Sequence, residues 1–313
     1  MIKNRFCLFV AFLNFLFLTD AASDYNLINS SFFRLYNRNG SYIDTNVKNA
    51  SILLPYIEKN NSLLVLYITG YTYDIDSENV KLITGVYLNY TQHNILALDY
   101  RSITQANYLT AVYAINDLGK LVADALNSLV NGGVDSEMIH IIGHSLGAQL
   151  AARIARNVNF VIPRITGLDP AGPLFYFLNS HLISSDARFV GIIHADIGGY
   201  GLALKTGDVD FFPNYGHRPQ PNCPLIGPLL SQMDFCSHSR SFEFYAESVK
   251  NHTSLIAKCY SLSECGGVEY ISMGYATPVN STGNYYLLTN GESPFGRGLA
   301  GATFNPSKIV SIL

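Results

Sequence analysis

Five short apolar runs, separated by segments long enough to be helices, limit what this chain can fold into. Continuous apolar runs of this length are typical of strands that are buried on both faces of a parallel sheet. The alternation of such strands with helices predicts an α/β fold with a mainly parallel central sheet and helices on both faces. The runs are SLLVLYITG, NILALDY, MIHIIGHS, RITGLDP and RFVGIIHAD, ending at Gly70, Tyr100, Ser145, Pro170 and Asp196.

The segments between and after these runs complete the predicted domain. Apolar side chains recur near helical spacing between Leu109 and Leu129, and LGAQLAARIARNV (146–158) is a compact helix former. GNYYLLTN in the Gly- and Tyr-rich C-terminal part reads as a strand, so we expect antiparallel edge strands there. No linker or repeat interrupts the pattern, and residues 23–313 are therefore predicted to form a single domain.

The composition argues against one class of partner. Nearly half of the residues, 48%, are apolar, only 14% are charged, and the formal net charge is −3. Nucleic-acid binding requires a basic surface that neutralises phosphates, so we expect no nucleic-acid partner.

The N-terminal segment has the three parts of a secretory signal peptide. Lys3 and Arg5 form a basic start, residues 7–18 are apolar apart from Asn14, and small residues follow at Ala21 and Ala22. This pattern predicts a signal peptide over residues 1–22 and therefore a secreted, extracellular protein. The alternative is a membrane anchor, although the apolar run is short for a bilayer span.

Four cysteines remain after removal of that segment, an even number that predicts two disulfides in a secreted chain. Three connectivities are possible, and proximity along the chain favours Cys223–Cys236 and Cys259–Cys265. Zinc binding is the competing use, but the paired C-x-x-C spacing is missing. Seven N-x-S/T sequons also predict surface glycosylation. Their asparagines are Asn29, Asn39, Asn49, Asn60, Asn89, Asn251 and Asn280.

The sequence Gly143-His144-Ser145-Leu146-Gly147 joins an apolar run to a helical segment. G-x-S-x-G in this context is the nucleophile elbow of an α/β-hydrolase, in which a strained turn presents the serine. The N-terminus of the following helix favours negative charge beside the serine. The alternative is that Ser145 is only a small residue in a tight turn.

A serine nucleophile requires a histidine base and an acid that orients it. In this fold the acid and the histidine follow the serine in the chain. Among the later histidines, His238 is favoured because it opens a predicted amphipathic helix two residues after a predicted disulfide cysteine. His194 ends an apolar run and fits the core. The remaining histidines are His181, His217 and His252.

Two aspartates are candidates for the acid. Asp169 and Asp196 each end an apolar run, where the carboxyl end of a strand meets the predicted serine turn. Aspartates at such ends also cap helices and form turns. Periodicity does not choose between them.

Several motifs in order resemble the pancreatic lipase family, most closely its insect secreted lipases and phospholipases A1. The resemblance extends from about residue 60 to residue 308 and implies an α/β-hydrolase fold that hydrolyses lipid carboxylic esters. The motifs are GHSLGA, ITGLDPAGP, VGIIHAD, DFFPNYG, FCSHSRS and GESPFGRG.

The resemblance also implies roles for individual residues. Ser145 matches the family's nucleophile, His238 its base and Asp169 its acid, which leaves Asp196 a structural role. The backbone N–H groups of Leu146 and Tyr71 match those of the oxyanion hole. Thr69 stands where the family's H-G-aromatic motif has histidine, which puts the support of that loop in question.

The resemblance implies no cofactor and no bound metal. Some relatives bind calcium with two aspartates in a loop, of which this chain retains Asp186 and has Ile183 at the other position. Larger relatives carry a C-terminal β-sandwich domain that this sequence does not include, so no colipase-like partner is expected.

The segment between Cys223 and Cys236 matches the family's lid, which implies a partner surface at a membrane or lipid–water interface. Its apolar side chains are predicted to lie on one helical face that covers the pocket or contacts lipid. The alternative is an ordinary disulfide-closed loop. Short lids go with phospholipid or galactolipid hydrolysis in this family, so phospholipase A1 activity is favoured over triacylglycerol hydrolysis or a yolk-protein-like binding role. The apolar residues are Leu225, Ile226, Leu229, Leu230 and Met233.

Overall fold

The computed structural model describes residues 27–59, 61–178 and 180–303 of the 313-residue chain. The predicted signal peptide and the sequon at Asn60 lie outside the described residues. None of the helices that the described residues form has the length and apolar character needed to cross a membrane.

The described residues form one eleven-stranded sheet. The strands are β1 (Phe32–Tyr36), β2 (Tyr42–Asn46), β3 (Leu64–Ile68), β4 (Asn94–Asp99), β5 (Ile139–His144), β6 (Arg164–Leu168), β7 (Val190–Ile193), β8 (Val209–Pro213), β9 (Ile256–Cys259), β10 (Tyr270–Ser272) and β11 (Gly283–Leu287). Their order across the sheet is β10-β9-β11-β8-β7-β6-β5-β3-β4-β1-β2.

The centre of the sheet is parallel. All neighbouring pairs from β4 through β3, β5, β6, β7 and β8 to β11 run in the same direction. The five apolar runs correspond to β3, β4, β5, β6 and β7, so the predicted parallel core is confirmed. Antiparallel strands extend both ends of the sheet, namely β1 and β2 at one end and β9 and β10 at the other.

The prediction for the segment GNYYLLTN is wrong in one respect. It forms a strand, β11, but β11 is internal and pairs parallel with β8 on one side and antiparallel with β9 on the other. Strand direction depends on which distant segment supplies the partner. The short run of residues does not contain that information.

Helices cover both faces of the sheet, as predicted. On one face, the helices Tyr108–Asn131 and Leu146–Ala155 pack over a buried cluster that includes Leu66 and Ile141 of the sheet. On the other face, the helices Glu78–Tyr90 and Gln232–Lys250 pack against each other over a cluster that includes Tyr67 of the sheet. The α-helices are α1 (Glu78–Tyr90), α2 (Arg101–Thr104), α3 (Tyr108–Asn131), α4 (Leu146–Ala155), α5 (Phe175–Leu178) and α6 (Gln232–Lys250).

Local capping explains where the two longest helices begin. The side chain of Asn107 accepts a hydrogen bond from the Thr110 N–H at the start of α3, at 2.8 Å. Ser231 accepts one from the Asp234 N–H at the start of α6, at 3.3 Å. Such caps satisfy backbone donors that the first turn leaves free. Helix α6 therefore begins at Gln232, and the prediction that His238 opens it is wrong by nearly two turns.

Candidate active site

Ser145 occupies a strained turn between β5 and α4. Its backbone has φ 55° and ψ −120°, in a region that residues with side chains rarely adopt. Gly143 and Gly147 make the turn possible, because a Cβ on Gly147 would lie 2.3 Å from the Ile68 carbonyl oxygen. A Cβ on Gly143 would lie 2.5 Å from the Cα of Ala148. The G-x-S-x-G spacing thus allows strand and helix to approach the serine closely.

Backbone hydrogen bonds tie this turn to the end of β6, where Asp169 lies. The Ser145 N–H donates to the Leu168 carbonyl at 3.0 Å, and the Ser145 carbonyl accepts from the Ala171 N–H at 3.1 Å. These two contacts flank Asp169 on both sides. Parallel pairing of β5 and β6 therefore brings the serine and this aspartate together.

The carboxylate of Asp169 is fully buried and divides its oxygens between two tasks. Oδ1 accepts hydrogen bonds from the backbone N–H groups of Ala195 at 2.8 Å and Asp196 at 3.2 Å. Oδ2 lies 2.6 Å from Nδ1 of His238. The backbone donors hold the carboxylate so that its second oxygen faces the imidazole.

His238 lies in the second turn of α6 with its ring buried among other rings. The Asp169 carboxylate favours the tautomer with the proton on Nδ1, which leaves the lone pair of Nε2 free. Within the described residues, Nε2 is buried and has no hydrogen-bond partner. The rings of Tyr200, Phe235 and His144 lie around it, at centroid distances of 5.7, 6.2 and 4.6 Å.

His144, which precedes Ser145, joins the serine turn to the histidine helix. Its ring packs edge-on against Phe242, with centroids 5.1 Å apart, as well as against His238. Burial lowers the pKa of His144 well below 6.5, and the neighbouring His238 adds to this effect. Both of its ring nitrogens lack a hydrogen-bond partner in the described part of the chain. The residue before Ser145 therefore packs a neutral imidazole against the rings of His238 and Phe242.

The two predicted oxyanion donors come from two segments, Leu146 from the serine turn and Tyr71 from the loop after β3. Leu146 is the first residue of α4, so its N–H has no partner within the helix. Tyr71 lies in the loop after β3, where its hydroxyl donates to the Ala106 carbonyl at 2.8 Å and its ring packs on Tyr108. These side-chain contacts hold the backbone of the loop.

Two residues that sequence reasoning missed support the loop at Thr69. The Thr69 hydroxyl accepts a hydrogen bond from the Asn79 amide, and the Thr69 carbonyl accepts one from the Tyr100 hydroxyl, both at 2.5 Å. All three side chains are buried. Asn79 lies in α1 and Tyr100 follows β4. The sequence features that could have identified them are a polar residue on an apolar helix face and a tyrosine at the end of a strand.

Asp196, the other candidate acid, pairs with an arginine instead of a histidine. Arg218 contacts both of its carboxylate oxygens at 2.5 Å. Single ligand atoms of Asp169, Asp196 and His238 nevertheless lie within 4.8 Å of one another, which is the spacing of a possible metal site. The guanidinium of Arg218 supplies a positive charge at this cluster.

The other candidate residues make their contacts away from Ser145 and His238. His194 lies in the core with Nε2 2.7 Å from Asp210, as the apolar run predicted, and His252 is exposed. The carboxylate of Asp186 accepts two hydrogen bonds from Arg156, at 2.6 and 2.8 Å. That arginine places a positive charge where some relatives were expected to bind calcium.

The predicted disulfides Cys223–Cys236 and Cys259–Cys265 are both present. The prediction of one helical face between the first pair is wrong, because helix α6 begins only at Gln232 and of the five apolar residues contains just Met233. Pro224, Gly227 and Pro228 oppose helix formation there. The apolar side chains are nevertheless exposed, by 38 to 62%. They are Leu225, Ile226, Leu229, Leu230 and Met233.

Five of the six sequon asparagines within the described residues are exposed, and Asn29 is half-buried. Exposure is required of a glycosylation site, so these five remain candidates for modification. The exposed asparagines are Asn39, Asn49, Asn89, Asn251 and Asn280.

Comparison with known proteins shows the family. A family model described as Lipase matches residues 18–295. Pancreatic triacylglycerol lipase of Oryctolagus cuniculus is 32% identical over 233 residues, which are 64% of this chain and 50% of that protein. Pancreatic lipase-related protein 2 of Homo sapiens is 37% identical over 196 residues, which are 55% of this chain and 41% of that protein. Phospholipase A1 member A of Bos taurus is 31% identical over 223 residues, which are 64% of this chain and 49% of that protein.

The chain spans about half the length of these curated relatives. Among solved structures, a dienelactone hydrolase from Anabaena variabilis matches with a TM-score of 0.33 and 12% identity, covering 44% of this chain and 63% of that one.

The parallel sheet, the helices on both faces and the serine turn confirm the predicted α/β-hydrolase fold. Because the family model matches most of its length, the chain belongs to the Lipase family.

Proposed function

We propose that this protein is a serine esterase that hydrolyses carboxylic ester bonds of lipids. The observation that carries the proposal is the 2.6 Å contact between Asp169 and Nδ1 of His238, beside a serine in a strained turn. The contact leaves Nε2 of the imidazole as a base, which a weakly nucleophilic hydroxyl needs. Membership of the Lipase family supports the same chemistry.

The proposed reaction begins when Oγ of Ser145 attacks the acyl carbon while Nε2 of His238 takes the hydroxyl proton. The carboxylate of Asp169 stabilises the resulting imidazolium and keeps its orientation. The N–H groups of Leu146 and Tyr71 bind the negative charge on the former carbonyl oxygen, which is commonly the largest single contribution to such catalysis.

Collapse of this intermediate breaks the ester C–O bond and leaves the acyl group on Ser145. His238 gives its proton to the departing alcohol oxygen. Water then attacks the acyl-serine with the same base, and the second collapse releases the fatty acid and restores the serine. Each proton that His238 takes is returned, so one water is consumed for each ester bond that is hydrolysed.

The exposed apolar segment between Cys223 and Cys236 favours a lipid surface as the place of reaction. We propose phospholipase A1-type cleavage at the sn-1 position by an extracellular enzyme, because short segments of this kind go with phospholipid hydrolysis. Triacylglycerol or galactolipid hydrolysis is the alternative within the class. The relatives named above include both a triacylglycerol lipase and a phospholipase A1.

A catalytically weak lipid-binding protein is the candidate outside the enzyme class. Thr69 in place of the motif histidine favours it, whereas the hydrogen bonds that Thr69 receives from Asn79 and Tyr100 support an ordered loop. The two candidates differ in whether Ser145 reacts.

The experiment that separates them is labelling with a fluorophosphonate probe. We expect the wild-type protein to form an adduct that mass spectrometry locates on Ser145, and Ser145→Ala to form none. An unreactive, folded wild-type protein would favour the binding role. Product analysis on mixed-acyl phosphatidylcholine beside triolein then assigns the substrate. Release of only the sn-2 acid contradicts the proposed regiochemistry.

A further inference from the structure

We propose that Arg218 is a positioning residue. It keeps Asp196 ionised and hydrogen-bonded to the guanidinium, so that Asp169 alone accepts the hydrogen bond from His238. This inference rests on the proposed function, because it assigns a task relative to the proposed acid and base. Arg218 lies in the loop after β8 and would not touch the substrate; it would act through the neighbouring carboxylate.

The need for such a residue follows from the two carboxylates at the ends of β6 and β7. Asp169 and Asp196 are both fully buried, and the Asp196 N–H donates to Oδ1 of Asp169 at 3.2 Å. Two buried carboxylates this close repel each other, and one of them takes up a proton unless a positive charge compensates. A protonated carboxyl beside Asp169 would compete with His238 for its oxygens.

Arg218 removes both problems through its geometry. Its Nε and Nη2 atoms contact the two oxygens of Asp196 at 2.5 Å each, which is the bidentate arrangement that a guanidinium forms best. The Tyr200 N–H also donates to Oδ2 of Asp196, at 3.0 Å. Both oxygens of Asp196 are therefore occupied, and neither is free for His238.

A glycine-rich segment closes over these two carboxylates. A Cβ on Gly199 would lie 2.6 Å from Oδ1 of Asp196 and 2.5 Å from Nε of Arg218. A Cβ on Gly201 would lie 2.4 Å from Oδ1 of Asp169. The backbone of this segment thus shields the pair from solvent and keeps the charges strongly coupled.

The charged and titratable groups around the cluster come from several elements. Arg218 also donates from Nη1 to Oδ1 of Asp234 at 3.0 Å, and the other oxygen of Asp234 accepts from the Tyr200 hydroxyl. His238 and the neutral His144 complete the surroundings. The pKa of Asp196 is raised overall, chiefly by burial, while the hydrogen bonds from Arg218 lower it and the charge of Asp169 adds to the increase. Without Arg218, Asp196 therefore takes up a proton at a higher pH.

The test is the rate of fluorophosphonate labelling as a function of pH, which needs no knowledge of the natural substrate. For Arg218→Met, we expect the rate to fall on acidification at a pH at least about one unit higher than in the wild type. A shift of one pH unit corresponds to a tenfold change in the proton affinity that the profile reports. In the double variant Asp196→Asn/Arg218→Met, position 196 cannot titrate, so the wild-type midpoint returns.

A merely structural role for Arg218 predicts a different result. It would slow labelling equally at every pH and leave the midpoint where it is in the wild type. That result in folded protein overturns the inference, and so does a midpoint that shifts in Arg218→Met but does not return in the double variant. If Arg218→Met does not fold, Arg218→Gln replaces it in both the single and the double variant, since it lacks the charge but retains donors. An unlabelled wild-type protein would instead overturn the proposed function.

Discussion

A Cβ atom on Gly70 would lie 2.8 Å from the Cβ of Ser145, which is closer than real Cβ contacts come. It would also lie 3.1 Å from Nδ1 of His144. Gly70, in the loop after β3, therefore sets how closely the proposed oxyanion loop approaches the serine turn.

Gly70→Ala should displace the loop or the serine turn and slow fluorophosphonate labelling by about a hundredfold, the typical effect of losing one oxyanion donor. Overpacking should also lower the free energy of unfolding by about 1–3 kcal/mol. Gly85→Ala in α1 is the matched control. Apart from its own neighbours and helix backbone, no atom of the described residues lies within 4 Å of the added methyl group. It should keep the labelling rate and raise stability by about 0.5–1 kcal/mol. Equal labelling by both variants would contradict the proposed role of the contact.

Asp169→Asn should slow labelling on the order of ten-thousand-fold, because an amide group cannot accept from two backbone donors and also hold the Nδ1 proton of His238. Asp186→Asn is the control. Asp186 is also a buried aspartate, but it pairs with Arg156 and precedes β7, so it lies at the amino ends of the parallel strands, away from the serine turn. It should lose stability but label at the wild-type rate. Comparable losses in the two variants would show a general effect on folding.

Thr69→Val should lower kcat on a soluble short-chain ester by about tenfold with little change in KM. The substitution removes the acceptor of the Asn79 amide and loosens the loop that carries Tyr71, without removing the backbone donor itself. Thr69→Ser retains the hydroxyl and should restore most of the rate. If valine and serine at this position behave alike, the hydroxyl does not support the loop.

Parts of this fold could be predicted where the residues of one short segment determine its structure, and could not where the structure depends on a distant segment. Buried parallel strands such as β5 and β6 consist of uninterrupted apolar residues, so the local sequence predicts them. The pairing of β11 with β8 joins segments far apart in the sequence, so the local sequence does not predict it. Likewise, Asp169 and Asp196 both end strands, and only the folded loop that brings Arg218 to Asp196 distinguishes their surroundings.

Ile226→Ser should lower the rate on phospholipid vesicles several-fold and leave the rate on a soluble short-chain ester unchanged. Ile226 is 60% exposed in the segment between Cys223 and Cys236, so its burial in a lipid surface would favour binding. Val161→Ser is the control. Val161 is also 60% exposed, but it precedes β6 and so lies at the amino ends of the parallel strands, whereas Ser145 lies at their carboxyl ends. A vesicle-specific loss in Val161→Ser, or none in Ile226→Ser, would contradict a lipid-facing segment.

The free energy of unfolding should fall as the pH drops below 6.5, and His140 should account for part of the slope. Burial lowers the pKa of His140 well below 6.5, so the unfolded chain binds a proton that the folded chain does not. His140→Gln should reduce the slope by up to about 1.4 kcal/mol per pH unit, measured by urea unfolding between pH 7.5 and 5.5.

Thr166→Val provides the comparison for this titration. Its hydroxyl lies 2.9 Å from Nε2 of His140, so the variant loses the hydrogen bond but retains the imidazole. It should lower stability at every pH while preserving the wild-type slope. A slope that His140→Gln leaves unchanged would mean that another group is responsible for the loss in acid.

The disulfide between Cys223 and Cys236 restricts the movements open to the exposed segment it encloses. The two cysteines are 13 residues apart in the chain, but their Cα atoms are only 5.6 Å apart. Cys236 belongs to the same helix as His238, so one end of the segment shares the position of the proposed base. Such a closed ring can swing about its base but cannot slide away from it. A fully extended chain of this length reaches roughly 20 Å at its tip, which bounds how far any opening could extend over a lipid surface.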